Sequence, residues 1–249
     1  MKRQPFRLLL RWGLITVSLS GLLFLAAGTS HIASLQAYLA LFSAWLLGTM
    51  LAVNPRLARE RANPSNAGID DGLRFATGFL FLLTLTVAAL SVGRLHLGLN
   101  MPTRLRDAAL VVFALSGSLQ TWAMITNPFF SPVVRLQREH GHRVIESGPY
   151  THMRHPGYFA MSVSVPASAL AIGSWIALAP AVGFVLVILR RTQLEDEFLK
   201  KNLPGYAEYA RRVPARLVPT RWKNQRSYCT TDAETRRRSA RGRQTCQLQ

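Results

Sequence analysis

The stretch GPYTHMRHPGYFAM, residues 148–161, decides how the rest of the chain is interpreted. It contains two histidines, one arginine, two tyrosines and two prolines, and it runs directly into a long apolar block, Tyr158 to Leu189. Polar and aromatic groups at this density are more than helix packing requires beside an apolar block. We therefore expect a binding site placed where lipid meets water.

The composition favours a membrane protein over a nucleic-acid-binding protein. The chain has 249 residues, of which 49% are hydrophobic, and a formal net charge of +18. A soluble protein this basic would usually bind nucleic acid. Here the apolar residues are gathered into long uncharged blocks, so we expect the arginines to set membrane topology and to contact anionic lipid headgroups. We expect no nucleic acid and no obligate protein partner.

Apolar blocks long enough to cross a bilayer fill the first half of the chain. A membrane span needs about 20 mostly apolar residues. The candidates are Phe6 to Ala27, Ile32 to Val53, Phe75 to Val92 and Ala108 to Ile125. The block from 158 to 189 is too long for one span, and Gly173 and Ser174 near its middle allow a tight turn. We predict a helical hairpin there, and thus an all-α polytopic membrane protein with about six transmembrane helices.

The positions of the arginines predict the orientation. With six spans, both termini, the loop after the second span and the segment from Pro128 to Pro156 share one side, which the positive-inside rule makes cytoplasmic. Arg94, Arg104 and Arg106 fall outside as a mild exception. Arginine is abundant and lysine scarce, a composition that fits a bacterium with GC-rich DNA. We therefore expect the protein in a bacterial inner membrane. The first span could be a cleaved signal peptide, but a second span follows at once, so we expect a retained helix.

The chain divides into three predicted regions. Residues 1–126 hold four transmembrane helices, residues 127–222 form the catalytic region with the hairpin, and residues 223–249 form a basic tail. The tail is too polar to bury a core, so we expect disorder, with lipid binding or plain solvation as its role. Both cysteines lie in the tail and have no metal-ligand spacing, so we predict no metal site.

Local signals predict where several elements begin and end. Asn127-Pro128 should end the fourth span, and Pro204-Gly205 should end the last helix. The run VVRLQREHGHRV, residues 133–144, is basic and amphipathic, which predicts an interfacial helix. Asp70 and Asp71 precede the third span, where acidic side chains favour a helix N-terminus; a role in substrate entry is the alternative.

Residues suited to ligand binding occur in three segments that we expect to meet at the cytoplasmic boundary. Pro156 suits the first turn of a helix, and that helix N-terminus, with Arg154 and His155 beside it, would suit a carboxylate or phosphate. Tyr150 and Tyr158 offer faces for a purine ring or a cation. The other two segments are residues 142–145 and the group Arg191, Glu195, Asp196 and Glu197.

The last of these segments has the chemistry to hold a zwitterionic ligand. Arg191 and Glu195 are four residues apart and share a helix face. Glu195 and Asp196 could bind an ammonium group or a ribose hydroxyl, and Arg191 could grip an anionic group with two hydrogen bonds. S-adenosylmethionine combines an adenine, an amino group, a carboxylate and a positive sulfur, so it fits this set. The simpler alternatives are a surface ion pair and interfacial tyrosines that only anchor the protein.

The order of the motifs between Asn127 and Trp222 resembles a known family. It reads G-x-Y at 148–150, R-H-P-x-Y at 154–158, an apolar hairpin, R-x-x-x-E-[ED] at 191–196 and G-Y-x-x-Y-x-x-x-V-P at 205–214. This order resembles the isoprenylcysteine carboxyl methyltransferases and the wider group of small membrane methyltransferases that includes phospholipid methyltransferases.

The resemblance implies transfer of a methyl group from S-adenosylmethionine to a lipophilic acceptor, either a carboxylate or a lipid headgroup. It implies a cofactor pocket on the cytoplasmic side of the C-terminal helices. The residues carried over to that pocket are His142, Arg143, Val144, Ile145, Tyr150, His155, Pro156, Gly157, Tyr158, Glu195 and Asp196. Asp196 stands where the family often has a glutamate. Arg191 would contact the acidic group of the acceptor, so Arg191 and Glu195 are the candidate catalytic residues.

Two other functions stay open at this point. A membrane reductase that uses NADPH is the enzymatic alternative, because membrane sterol reductases resemble this arrangement; the sequence shows no dinucleotide glycine pattern, although such reductases need not have one. A transporter or lipid-binding protein is the non-enzymatic alternative. It would place ionisable residues at mid-membrane, and the predicted spans have almost none.

Overall fold

The computed structural model describes residues 4–62, 70–97 and 101–218. Within these ranges the chain forms helices and turns and no β-strand. The α-helices are α1 (Gln4–Ala27), α2 (Ala33–Ala52), α3 (Pro55–Ala62), α4 (Asp71–Gly93), α5 (Thr103–Thr126), α6 (Pro156–Ile172), α7 (Leu178–Asn202) and α8 (Tyr206–Arg212). The predicted tail, 223–249, lies outside the described residues.

In the part of the chain that the structure describes, four helices are long and apolar enough to cross a membrane, namely α1, α2, α4 and α5. They coincide with the four predicted spans, and α5 ends at Thr126, directly before Asn127-Pro128. Their outward faces carry large apolar side chains such as Phe75, which is 76% exposed. Exposed apolar surface on this scale suits lipid contact. The all-α membrane architecture is thus confirmed.

The predicted hairpin is also confirmed. Helix α6 ends at Ile172, and Gly173 adopts φ 112°, a left-handed conformation that side chains disfavour. Helix α7 then begins at Leu178 and runs to Asn202, just before Pro204-Gly205. At 17 residues, α6 is about 26 Å long, somewhat less than the roughly 30 Å core of a bilayer. A count of six membrane crossings therefore stays a prediction.

Helix α6 lies at the centre of the fold. It packs against α2, α4, α5 and α7, and it carries the fully buried small residues Ala160, Ala169 and Ala171. Small side chains let helices approach closely in a membrane, where contact rather than hydrophobic burial drives association. This packing holds the N-terminus of α6 rigidly at one end of the helix bundle.

The predicted interfacial helix over 133–144 is wrong. In that segment only a 3₁₀ turn, Arg138–His140, forms, and Gly141 closes it with φ 65°. Gln137 is 1% exposed and donates its Nε2 hydrogen to the Phe129 carbonyl at 3.0 Å. Gln137 and Arg135 are used for contacts inside the protein, whereas Arg138, Glu139, His140 and Arg143 are exposed, so the amphipathic pattern reflects a folded loop.

Candidate functional site

A cavity of about 290 Å³ lies beside the N-terminal end of α6. This volume is close to the lower bound for small-molecule sites, about 300 Å³. Most of the predicted pocket residues line it, namely His142, Arg143, Val144, Ile145, Tyr150, His155, Gly157, Tyr158, Arg191 and Glu195. The structure thus brings the three predicted segments together. Pro156 and Asp196 are not among the lining residues.

The N-terminus of α6 is shaped by Pro156 and Gly157. Pro156 occupies the first helical position, as predicted. Gly157 faces the ring of Phe130, and a Cβ at this position would lie 2.3 Å from that ring. Only glycine permits so close an approach, so Phe130 and the start of α6 together close one wall of the cavity.

Glu195 reaches the cavity from α7 and is oriented by Tyr158. The Tyr158 hydroxyl donates to Glu195 Oε2 at 2.6 Å, a short distance typical of a hydrogen bond to a charged acceptor. The ring of Tyr158 stacks on His155, with the ring centroids 5.8 Å apart. Glu195 is partly buried, which leaves carboxylate surface available to a ligand.

Asp196 does not line the cavity, and its carboxylate is the buried centre of a cluster of cationic and polar side chains. Its side chain is fully buried. It contacts Arg154 Nε at 2.7 Å and Nη2 at 3.1 Å, Lys200 Nζ at 2.8 Å, Tyr206 Oη at 3.0 Å, Arg216 Nε at 3.1 Å and His155 Nε2 at 3.3 Å. Burial alone would raise the pKa of Asp196, but hydrogen bonds from these groups outweigh it and hold the pKa well below its ordinary value.

The segment around α8 holds this cluster together. Arg154 donates to the Val213 carbonyl at 2.5 Å, and the backbone N–H groups of Arg154 and His155 donate to residues 215 and 216. The Tyr209 hydroxyl donates to the Tyr150 carbonyl at 2.7 Å. The G-Y-x-x-Y-x-x-x-V-P motif and the residues directly after it therefore hold Tyr150 and His155 in position.

Arg191 lies in the cavity wall, and a residue that the sequence reasoning did not assign to the site holds it. Its Nε donates to Asp70 Oδ2 at 2.5 Å, and its Nη2 donates to the Pro132 carbonyl. The guanidinium carbon also lies 5.6 Å from the centroid of the Tyr158 ring. Asp70 is 2% exposed, so this is a buried ion pair.

Asp70 marks a helix start as predicted, since α4 begins at Asp71, but its side chain does not cap the helix. The second carboxylate oxygen instead accepts from the backbone N–H of Val134 at 2.9 Å. The only sequence signal was an acidic pair before a span, which also fits an ordinary helix terminus. Pairing with Arg191, 121 positions later, required the tertiary structure.

The loop over the cavity contributes the ring of His142 and the backbone of residues 143–145. His142 stacks on Phe129 with centroids 4.5 Å apart, and its Nδ1 accepts from the Gln137 N–H at 3.2 Å. Burial, with a further contribution from Arg135, lowers the pKa of His142 to about 4. After it, the backbone of 143–145 makes no hydrogen bond to any other described residue.

Helix α3 fastens this loop from the N-terminal half. Leu57 is 2% exposed and packs with Met124 and Phe130. Glu60 Oε1 accepts from Arg135 Nη2 at 3.0 Å and from the Ser131 hydroxyl at 3.2 Å. Arg61 of α3 lines the cavity, so the N-terminal region, predicted only to hold four transmembrane helices, forms part of the cavity wall.

The family comparison fits this arrangement. The sequence model of the isoprenylcysteine carboxyl methyltransferase (ICMT) family matches residues 108–201. Residues 108–201, the part of the chain that this model matches, are the ICMT-family segment. The resemblance predicted from the motifs is thereby confirmed. The ICMT-family segment runs from α5 to the end of α7, so it includes His155, Arg191 and Glu195, whereas α8 and Asp70 lie outside it.

Three curated relatives are similar to part of the chain. Protein-S-isoprenylcysteine O-methyltransferase B of Arabidopsis thaliana is 30% identical over 127 residues, which cover 47% of this chain and 61% of that protein. The cobalt-zinc-cadmium resistance protein CzcN of Cupriavidus metallidurans is 38% identical over 77 residues, and the nickel-cobalt-cadmium resistance protein NccN of Alcaligenes xylosoxydans is 33% identical over 73. Each of these two matches covers 29% of this chain and 34% of the relative.

The chain therefore spans less than two thirds of each of these relatives. Two of their names refer to metals, but within 4–62, 70–97 and 101–218 no group of three or more His, Cys, Asp or Glu residues is arranged to hold a metal ion.

Proposed function

We propose that the protein is a membrane methyltransferase that transfers a methyl group from S-adenosylmethionine to a lipophilic acceptor, preferably to a carboxylate. One observation carries the proposal: Glu195, Tyr158, His155 and the backbone strip 143–145 line a single cavity. These groups come from three separate segments of the chain. A membrane anchor or a plain surface ion pair would not require them to meet.

The residues present fit S-adenosylmethionine. The strip 143–145 offers backbone donors and acceptors without partners among the described residues, and the strip lines the cavity. An adenine edge would supply these partners. The neutral ring of His142, stacked on Phe129, extends an aromatic surface beside this strip. Glu195 supplies a carboxylate for the amino group or for a ribose hydroxyl, and Tyr158 directs it.

Methyl transfer requires the protein mainly to align the two reactants and to exclude water. S-adenosylmethionine supplies a sulfonium methyl group: an acceptor oxygen bonds to the methyl carbon while the carbon–sulfur bond breaks and its electron pair stays on sulfur. Water stabilises the separated charges of a carboxylate and a sulfonium, so a site that excludes water favours the reaction. The Phe130 ring and the loop over the cavity would limit the access of water. Rigid walls that align the two partners supply much of the remaining rate. A carboxylate acceptor carries no proton, so Glu195 and His155 need not act as bases; an amine acceptor would need one of them.

The acceptor side of the cavity is proposed to face the bilayer. The lining reaches α4 at Arg74, Thr77 and Gly78, and Gly78 is exposed with open space where a Cβ would stand. An apolar tail could lie there while the acidic group of the acceptor lies inside the cavity. With six spans and both termini cytoplasmic, the cofactor would enter from the cytoplasm of a bacterial cell, and the basic loops would contact anionic headgroups.

Pro156 and Asp196 are proposed to support the pocket without touching the cofactor. Pro156 sets the first turn of α6, and Asp196 fixes Arg154 and His155 through the buried cluster. In this proposal Asp196 is a positioning residue, and its shorter side chain relative to glutamate serves this cluster.

The test is methyl transfer by the detergent-purified protein. S-adenosylmethionine labelled in the methyl group is mixed with lipids extracted from the native membrane and, separately, with N-acetyl-S-farnesylcysteine, a probe suggested by the name of the Arabidopsis relative. A carboxyl methyl ester releases labelled methanol in base, whereas an N-methyl group does not. We expect base-labile label with wild type and with Glu197→Gln, an exposed control on α7, and a large loss with Glu195→Gln. Absence of label in every lipid fraction would contradict the proposal.

A further inference from the structure

The arginines that line the cavity differ in whether an acid neutralises them. Arg191 pairs with Asp70, Arg154 with Asp196, and Arg135 with Glu60 and Glu139. Arg74 lies 3.6 Å from Asp71. Among the described residues, Arg61 and Arg143 are the lining arginines for which no carboxylate lies within salt-bridge distance.

These two arginines have different surroundings. Arg143 is exposed to solvent, where water can stabilise its charge. Arg61 is only partly exposed; its Nη1 donates to the Phe130 carbonyl at 3.4 Å and its guanidinium carbon lies 5.3 Å from the centroid of the Phe130 ring. Burial lowers the pKa of the Arg61 guanidinium from its ordinary value, and the charge of Arg191 lowers it further. A guanidinium stays charged under such conditions, so Arg61 is a cation with no carboxylate among the described residues within salt-bridge distance.

The position of Arg61 is fixed from both sides. Leu57, one turn earlier in α3, is buried against Met124 and Phe130. Glu60, the preceding residue, is held by Arg135 and Ser131. Helix α3 therefore cannot swing away from the cavity without breaking these contacts, and Arg61 is held beside the same Phe130 ring that closes the start of α6.

Arg191 has less capacity for an additional anion. Its Nε is used by Asp70 and its Nη2 by Pro132, and the negative charge of Asp70 already offsets its positive charge. Two of its five N–H donors are thus committed, and an acceptor carboxylate at Arg191 would have to approach the neighbouring carboxylate of Asp70. Within 4–62, 70–97 and 101–218 no acid competes for Arg61 in this way, although both side chains border the same cavity.

We propose that Arg61 binds the acidic group of the methyl acceptor and thereby selects lipophilic molecules that carry a free carboxylate as the methyl-accepting group. The inference rests on the proposed function and specifies its acceptor. It assigns a role in acceptor selection to the helix between the second and third apolar blocks, outside the ICMT-family segment at 108–201. Arg191 then acts as a positioning residue that shapes the wall.

The test compares binding of an acid with binding of its ester. Equilibrium dissociation constants are measured for N-acetyl-S-farnesylcysteine and for its methyl ester, which lacks the negative charge, and separately for S-adenosylmethionine. The proteins are wild type, Arg61→Gln, Arg61→Lys and Arg59→Gln, an exposed control on the same helix. Wild type should prefer the acid. Arg61→Gln should lose about tenfold or more in affinity for the acid, as expected for a hydrogen bond to a charged group, with the ester and S-adenosylmethionine unchanged.

Arg61→Lys should retain part of the preference because it keeps the charge, and Arg59→Gln should retain all of it. An unchanged preference for the acid in Arg61→Gln would overturn the inference, as would equal weakening of acid and ester or a loss confined to S-adenosylmethionine. A wild type that binds S-adenosylmethionine but does not prefer the acid contradicts this inference alone. A wild type that does not bind S-adenosylmethionine contradicts the proposed function as well.

Discussion

Arg191 on α7 and Asp70 at the start of α4 form a buried ion pair with an Nε–Oδ2 distance of 2.5 Å. The pair joins the end of the predicted catalytic region to a loop between two N-terminal spans. Because Asp70 also accepts from the Val134 N–H, one carboxylate ties together α4, α7 and the loop over the cavity. The cavity is thus built by both halves of the chain.

Removing the negative charge of Asp70 should destabilise the protein. In Asp70→Asn, Arg191 is left buried without a counter-ion, and breaking a buried pair costs about 3–5 kcal/mol. The free energy of unfolding, measured by detergent-induced denaturation, should fall by an amount of this order. Asp71→Asn is the matched control, because the Asp71–Arg74 pair is nearly half exposed and should change stability by less than about 1 kcal/mol. Equal effects of the two variants would contradict the assigned role.

The hydrogen bond from Tyr158 to Glu195 should matter for cofactor affinity. Tyr158→Phe removes the donor that orients the carboxylate, and we expect binding of S-adenosylmethionine to weaken about tenfold, the lower range for a bond to a charged group. Glu195→Gln should weaken it more. The double variant should be no worse than Glu195→Gln alone, because coupled residues are not additive.

Isothermal titration of the four proteins gives this coupling directly. Tyr38→Phe is the control, since Tyr38 is fully buried in the core away from the cavity lining. Strictly additive losses from Tyr158→Phe and Glu195→Gln would show that the two side chains act independently.

The buried cluster around Asp196 predicts a specific dependence of stability on pH. The pKa of Asp196 is depressed in the folded state, whereas an unfolded aspartate titrates near pH 3.9. The cluster therefore contributes stability that is fully present above about pH 5 and is lost as the pH falls, because the unfolded chain takes up the proton first. Between pH 5 and pH 3, the unfolding free energy of wild type should fall more steeply than that of Asp196→Asn. Parallel slopes would contradict this.

His142 should titrate far below an ordinary histidine. Its pKa of about 4 lies below the value near 6.5 of an unfolded histidine, so the folded state prefers the neutral ring. Its contribution to stability is lost as the pH falls from about 6.5 towards 4, because only the unfolded chain binds a proton in that interval. Histidine-selective NMR, with His142→Gln to assign the signal, should show a midpoint near pH 4. A midpoint near 6.5 would place the ring in solvent.

The helical scaffold followed from the sequence because hydropathy depends on residues that are adjacent in the chain. Apolar blocks predicted α1, α2, α4 and α5, and Gly173 predicted the turn of the hairpin, because a left-handed residue there needs glycine. The helix prediction for 133–144 failed for a physical reason. Amphipathic spacing cannot distinguish a polar residue that faces headgroups from one that has a buried partner, as Gln137 has in the Phe129 carbonyl.

The pocket was predictable where its residues stand in one motif, and not where it depends on distant pairs. His155, Tyr158 and Glu195 were named from their types and order. The roles of Asp70 and Arg61 were missed. Asp70, before the third span, has the position of an ordinary helix-end acid, and Arg61, after the second span, that of an ordinary positive-inside arginine. Which carboxylate faces the cavity, Glu195 or Asp196, also required the structure, since adjacent helix positions point in different directions.

Equilibrium binding of labelled S-adenosylmethionine, in parallel with labelled NADPH, to the detergent-purified protein tests the central claim most directly. We expect saturable binding of S-adenosylmethionine to wild type, strong weakening in Glu195→Ala and His155→Ala, no effect of Glu197→Ala, and no saturable binding of NADPH. Saturable binding of NADPH alone would contradict the account and favour a membrane reductase.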